Sequence, residues 1–169
     1  MRVKKIPNEQ AAIWFSRDEL TFLIAAIEKT LKALHPNAFH VRTNCPVEYA
    51  DALLARLRDA IGEETSHQGA PNSASSPRGD QRRVVNPKGA NAPKNARQVT
   101  MQIELISGDR TLVSISDHEL QFLYDITNEV THGLRGTEEF MKATGKTRKY
   151  GDRLMDQLMD AKYRIRAPK

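Results

Sequence analysis

The chain repeats itself. Shifted by 100 residues, Ile6, Ser16, Glu19, Leu20, Phe22, Leu23 and Leu34 fall on Ile106, Ser116, Glu119, Leu120, Phe122, Leu123 and Leu134. One extra residue then makes the offset 101. Phe39, Thr43, Tyr49, Asp51, Leu53, Leu57, Asp59 and Ala60 now fall on Phe140, Thr144, Tyr150, Asp152, Leu154, Leu158, Asp160 and Ala161. Roughly 3 identities would arise by chance over a stretch of this length, so the repeat dictates the architecture. Two units of the same plan are expected, at 1–61 and 99–169, with a spacer at 62–98.

A unit of about 60 residues buries only about 60% of its unfolded surface and is marginal alone. Packing one unit on the other relieves this. The sequence has no apolar run long enough to span a membrane. Lys4 and Lys5 precede no apolar stretch, so no secretory signal is expected. The single cysteine, Cys45, allows no internal disulfide and points to a reducing cytoplasm. The net charge is +5. Segment by segment the excess is +2, +3 and 0, so most of it lies in the spacer.

In the first unit, Val3–Ile6 and Ala12–Phe15 read as a hairpin around Pro7-Asn8-Glu9-Gln10, with Val3, Ile6, Ile13 and Phe15 inward. Ser16-Arg17-Asp18-Glu19 is a capping box, in which a serine hydroxyl and a glutamate each satisfy a free amide. Leu20, Leu23, Ile24, Ile27, Leu31 and Leu34 follow at helical spacing. His35-Pro36-Asn37 ends that helix. Phe39–Thr43 is a short helical turn or an extended anchor. Asn44 bends the chain, Pro46 suits a first helical turn, and Ala50, Leu53, Leu54, Leu57 and Ile61 form the next stripe.

Residues 62–98 are rich in Gly, Ala, Pro, Ser and Asn and contain no aromatic residue. Such a segment buries too little to offset its ordering entropy, so disorder is expected. A flexible chain of this length spans on the order of 30–37 Å. It carries Arg82, Arg83, Lys88, Lys94 and Arg97 with no acid among them.

The second unit repeats the plan. Met101–Ile106 and Thr111–Ile115 flank Ser107-Gly108-Asp109-Arg110, and Ser116-Asp117-His118-Glu119 restores the capping box. Leu120, Leu123, Tyr124, Thr127, Val130 and Leu134 continue as a helix that Gly133 and Gly136 end. Thr137 is placed to cap a short helix over Glu138–Thr144. Gly145 bends the chain where the first unit has Asn44, and both residue types tolerate left-handed backbone. Thr147 is placed to cap a last helix with Leu154, Met155 and Leu158 inward, and Tyr163–Lys169 reads as a basic tail.

The fold class is therefore α+β: a tandem duplication of a β-β-α-α unit. Two hairpins joined edge to edge would form a four-stranded antiparallel sheet covered on one face by helices, which removes an exposed edge from each.

Leu120-Gln121-Phe122-Leu123, Asn128-Glu129-Val130-Thr131-His132-Gly133, Phe140, Gly145 and Leu154 carry a likeness over about 45 residues. Here the second unit resembles a group of short, uncharacterised bacterial proteins with a Phe-Leu…Asn-Glu-Val-x-x-Gly…Phe…Gly…Leu-Leu pattern. The resemblance implies no particular activity. The first unit departs from it, with Glu28-Lys29-Thr30-Leu31-Lys32-Ala33 in place of the Asn-Glu-Val-x-x-Gly segment, so a site built there would exist once.

Glu138–Thr144, Gly145-Lys146 and Thr147–Leu158 have helix-turn-helix proportions. Lys142, Lys146, Arg148, Lys149 and Arg153 would face a phosphate backbone, aided by Arg82, Arg83 and Lys88 of the spacer. The competing explanation is a pair of packed helices whose basic face answers Asp117, Glu119, Asp125 and Glu129. Asn128, Glu129 and His132 offer a small polar site on one helix, or simply a histidine that suits a helix C-terminus. His35, His40 and Cys45 match no common zinc spacing, and no phosphate loop or nucleophile elbow is present. No catalytic residue, cofactor or metal is expected. The expectation is a non-enzymatic cytoplasmic module that binds a protein, with nucleic-acid binding as the alternative and no membrane partner.

Overall fold

The computed structural model describes residues 3–6, 10–62 and 99–166. The basic spacer, with Arg82, Arg83, Lys88, Lys94 and Arg97, falls outside these, as do the side chains of Val3 and Ile6.

Both capping boxes form. Ser16 Oγ accepts the Glu19 amide at 3.2 Å while Glu19 Oε2 accepts the Ser16 amide at 2.7 Å. In the second half Ser116 and Glu119 repeat this at 3.3 and 2.8 Å. Each box places a sharp turn between a strand and a long helix. The strands are β1 (Val3–Ile6), β2 (Gln10–Ser16), β3 (Gln102–Ser107) and β4 (Arg110–Ser116). The helices are α1 (Arg17–Ala33), α2 (Pro36–Thr43), α3 (Val47–Ile61), α4 (Asp117–Asn128), α5 (Thr137–Thr144) and α6 (Arg148–Arg166). The chain is thus mixed α+β, each half running strand, strand, long helix, short helix, long helix.

All strand pairs are antiparallel, in the order β1-β2-β4-β3. The central seam carries its own symmetry. Ile13 lies opposite Val113, Gln10 opposite Ser116, and Ser16 opposite Arg110. Shifting by 100 maps the Gln10/Ser116 pair onto the Ser16/Arg110 pair and the Ile13/Val113 pair onto itself. A local twofold therefore passes through Ile13 and Val113. The hairpins begin in matching register, Val3 opposite Ile13 and Ile103 opposite Val113, until an irregularity between Ile103 and Leu105. That bulge shortens the second turn to Gly108-Asp109, where Gly108 takes the positive φ of 60° that a tight hairpin turn requires.

Alternation along the seam buries Ala11, Ile13 and Phe15 with Thr111, Val113 and Ile115 against the helices. The helices then cross over. The last helix of each half reaches the other half's hairpin: α6 lies against β1 and β2, and α3 against β3. At the end of α3, Ala60 C=O accepts the Thr111 hydroxyl at 3.0 Å. The equivalent phenylalanines Phe22 and Phe122 are each packed by rings from the opposite half. Phe22 meets Phe140 at 5.6 Å and Tyr150 at 5.2 Å; Phe122 meets Phe39 at 6.3 Å and Tyr49 at 5.6 Å. Burial of each ring contributes roughly 1.5–3 kcal/mol.

Several local expectations are corrected. For residues 39–43 the helical alternative holds and only the start moves, to Pro36, because a proline in the first turn needs no amide acceptor. The long helix of the second half does not simply end at Gly133; its last turn, Glu129–Gly133, is π-helical. Thr137 does not cap α5: its hydroxyl donates to Leu134 C=O at 2.7 Å, and Gly136 enters the helix with a φ of 78°. The basic tail is helical to Arg166, because Ile165 continues the apolar stripe and is buried. Arg166 also makes a forked pair with Asp117, at 2.6 and 3.0 Å.

Candidate functional site

Two corners at corresponding positions, one at the N-terminus of each long capped helix, carry different chemistry. In the first, Lys146 Nζ lies 2.6 Å from Asp18 Oδ2 and 4.9 Å from the centre of the Tyr150 ring. Arg153 sits over the same ring at 5.5 Å. In the second, the same positions hold Cys45 and His118. Cys45 Sγ lies 3.4 Å from His118 Nε2, and the His118 ring lies 5.2 Å from that of Tyr49. Cys45 is fully buried and His118 half-buried. The sequence places Cys45 beside His35 and His40, but both of these are exposed. Its real partner is 73 residues away.

Tyr150 reports on the first corner. Burial, and then the charges of Glu19 and Asp18, push its phenol up to about 12 from an ordinary 10.0. The Tyr150 hydroxyl is buried without a hydrogen-bond partner. A phenol that the folded state holds protonated contributes stability below pH 10, and that contribution is lost as pH rises towards 12. Thermal unfolding followed by circular dichroism is expected to show this alkaline loss in the wild type and a smaller loss in Tyr150→Phe. At neutral pH that variant should match the wild type within about 1 kcal/mol.

The π turn covers the segment in which the second half departs from the first. It separates the three residues of the expected polar site. Glu129 turns to the other half and pairs with Arg42 at 2.8 Å. His132 pairs with Asp152 of α6 at 2.8 Å. Asn128 is half-buried. The three do not converge on one point. Thr131, within the turn, is fully buried with no partner for its hydroxyl, whereas Thr30, Thr43, Thr127 and Thr144 each bond the carbonyl four residues back. Thr131 rests on Gly151 of α6, where an added Cβ would overlap Thr131 Oγ1. Gly151→Ala is therefore expected to destabilise by about 1–3 kcal/mol despite alanine's better helix propensity. Adding Thr131→Ala should recover most of the loss, read by urea unfolding in a double-mutant cycle.

The α5–α6 corner has the helix-turn-helix outline, with Gly145 left-handed at φ 64°. Lys142, Arg148, Lys149 and Arg153 are exposed. Lys146 is not available to a ligand in the same way, being held by Asp18. Lys149 and Arg153 share a shallow groove with Asp152 and Asp156, so its charge is mixed.

The other face of the sheet carries a different surface. Trp14 and Leu112 lie opposite each other on β2 and β4, on the side away from Ile13 and Val113. Both are half-buried and stand apart from the core cluster. Ala12 and Ser114, the next pair along, are buried, and the Ser114 hydroxyl donates to Gln10 Oε1 at 3.1 Å. The partly exposed apolar area on this side is thus confined to Leu112 and the chain's one tryptophan.

Among the described residues, no helix is long and apolar enough to cross a membrane, and no three His, Cys, Asp or Glu side chains are grouped to hold a metal. No family model, curated protein or solved structure matches the chain.

Proposed function

We propose that this chain is a non-enzymatic, cytoplasmic binding module, built by duplication of one β-β-α-α unit, that docks a protein on its open sheet face. The Trp14–Leu112 pair carries the reading. Trp14 and Leu112 lie side by side on the face away from Ile13 and Val113, outside the core cluster and each partly exposed. Tryptophan is enriched among the residues that dominate protein interfaces. The duplication is supported by the seam register, which is invariant under the same shift that aligns the sequences.

Loss of a central tryptophan typically costs at least about 2 kcal/mol, or roughly 30-fold in affinity. Capture from lysate should therefore return a partner with the wild type that Trp14→Ser/Leu112→Ser fails to hold at equal folded concentration. Binding of that partner should also shift the emission of Trp14 to the blue. A partner retained equally by both proteins would place the contact elsewhere, and no partner at all would remove the reading.

A second reading rests on the exposed Lys142, Arg148, Lys149 and Arg153: contact with a nucleic-acid backbone, assisted by Arg82, Arg83 and Lys88. It requires salt-steep binding that Arg148→Ala and Lys149→Ala weaken. Asp152 and Asp156 beside these cations make it the weaker of the two.

A further inference from the structure

Arg56 is a guanidinium without a counter-charge. It stands exposed on α3 and joins no ion pair among the described residues, whereas Arg58, two positions on, holds Glu28 at 2.5 Å. Beside it lies a cavity of about 630 Å³, formed by Gln10, Arg56 and residues 99–103. We propose that this cavity binds a small organic monocarboxylate with an apolar tail, its carboxylate forked on Arg56. The site is separate from the Trp14–Leu112 pair, and the inference does not rest on the docking of a protein there.

The walls of the cavity sort by chemistry. Among the described residues no acid lines it, and Arg56 is its one charge. A guanidinium grips a carboxylate through two parallel hydrogen bonds, and a single cation matches a single negative charge. Gln10 adds a donor. Its Oε1 accepts the Ser114 hydroxyl at 3.1 Å, and among the described residues nothing takes the hydrogens of its amide nitrogen. The tail has an apolar side to lie against. Val99 is half-buried against the core, Met101 is buried, and Ile103 is one of three large apolar residues left exposed among those described. This side is held in place before any ligand arrives. Glu119 accepts the Thr100 and Met101 amides at 2.6 and 2.8 Å, and Gln102 pairs with Ser114 across the sheet. A wall fixed beforehand costs little ordering on binding. The volume falls in the range of about 300–1,000 Å³ that small-molecule sites occupy.

Hexanoate is the probe, titrated into the full-length protein at constant ionic strength with amide chemical shifts as the readout. Gln10 and residues 99–103 should shift saturably, with a Kd on the order of 1 mM for so small a ligand. Hexanamide has nearly the same shape without the charge and should bind at least tenfold more weakly. Acetate should also bind at least tenfold more weakly, because it reaches the guanidinium without touching Val99 or Ile103. Inorganic phosphate, which has charge but no tail, should do the same. Arg56→Gln should weaken hexanoate at least tenfold. Arg56→Lys should weaken it severalfold, since lysine keeps the charge but loses the fork. Arg56 is exposed, so both variants are expected to fold as the wild type does. Acetate or phosphate binding as tightly as hexanoate would reduce the site to charge attraction and overturn the proposal. Shifts centred on Trp14 and Leu112, an unchanged Kd in Arg56→Gln, or no saturable shift at ten times the expected Kd would overturn it equally.

Discussion

Residues 1–62 and residues 99–169, produced separately, are each expected to be unfolded, and mixing them should restore the native spectrum. Neither half closes its own core. Separation would expose the whole β2–β4 seam, with Ala11, Ile13 and Phe15 on one side and Val113 and Ile115 on the other. It would also strip Phe22 of Phe140 and Tyr150, and Phe122 of Phe39 and Tyr49. Each aromatic pair contributes about 0.5–1.5 kcal/mol beyond burial. The crossing pairs Arg42–Glu129 and Lys146–Asp18 would go as well, though exposed ion pairs contribute little. A net stability of roughly 5–15 kcal/mol for a whole domain does not survive losses of this size. Far-UV circular dichroism and amide dispersion of each fragment, alone and mixed, read the outcome. A well-dispersed spectrum from residues 1–62 alone would show that the halves are independent.

The second large effect is expected at Glu119. Its side chain is fully buried and accepts five hydrogen bonds. Besides the Ser116 amide at 2.8 Å and hydroxyl at 2.7 Å, it takes the Thr100 amide at 2.6 Å, the Thr100 hydroxyl at 2.9 Å and the Met101 amide at 2.8 Å. One carboxylate thus both caps α4 and pins the chain where it enters β3. Truncation leaves the Met101 amide buried without an acceptor, at about 1–3 kcal/mol, and also removes the cap, so Glu119→Ala should lose about 2–4 kcal/mol. Glu19, its equivalent, is half-buried and takes the Ser16 amide, so Glu19→Ala should lose about 1 kcal/mol, the value of a cap. Urea midpoints of the two variants compare them directly. Equal losses would mean that the Thr100 and Met101 bonds contribute nothing net.

Much of this architecture is legible in the sequence because it is local. The capping boxes, the helical stripes and the bends at Asn44 and Gly145 each depend on residues within a turn of one another. Ile165 was also within reach, since Leu158, Ala161 and Ile165 keep helical spacing; the arginines around it disguised the stripe as a tail. The π turn is different. Its signature is a change in hydrogen-bond offset, which apolar spacing does not encode, although the segment where the halves diverge marks its place. The corner pairs are harder still. Asp18 and Lys146 are 128 residues apart, and only the crossing of the halves brings them together. The repeat offsets do carry Asp18 to His118 and Lys146 to Cys45, so one pair predicts the other once either is known. Trp14 lies within the returning strand Ala12–Phe15 and carries no signal of its own beyond that. Its outward position follows from strict alternation with Ile13 and Phe15, and its importance from the helices lying on the opposite face.

Hydrogen exchange of the intact chain measures the interlocking most directly. Amides of Ala11–Phe15, Thr111–Ile115 and the middles of α1 and α4 should exchange at one common, slowest rate, set by a single global opening. Two distinct slow rates, one for elements before residue 62 and another for those after residue 99, would contradict the closed twofold body.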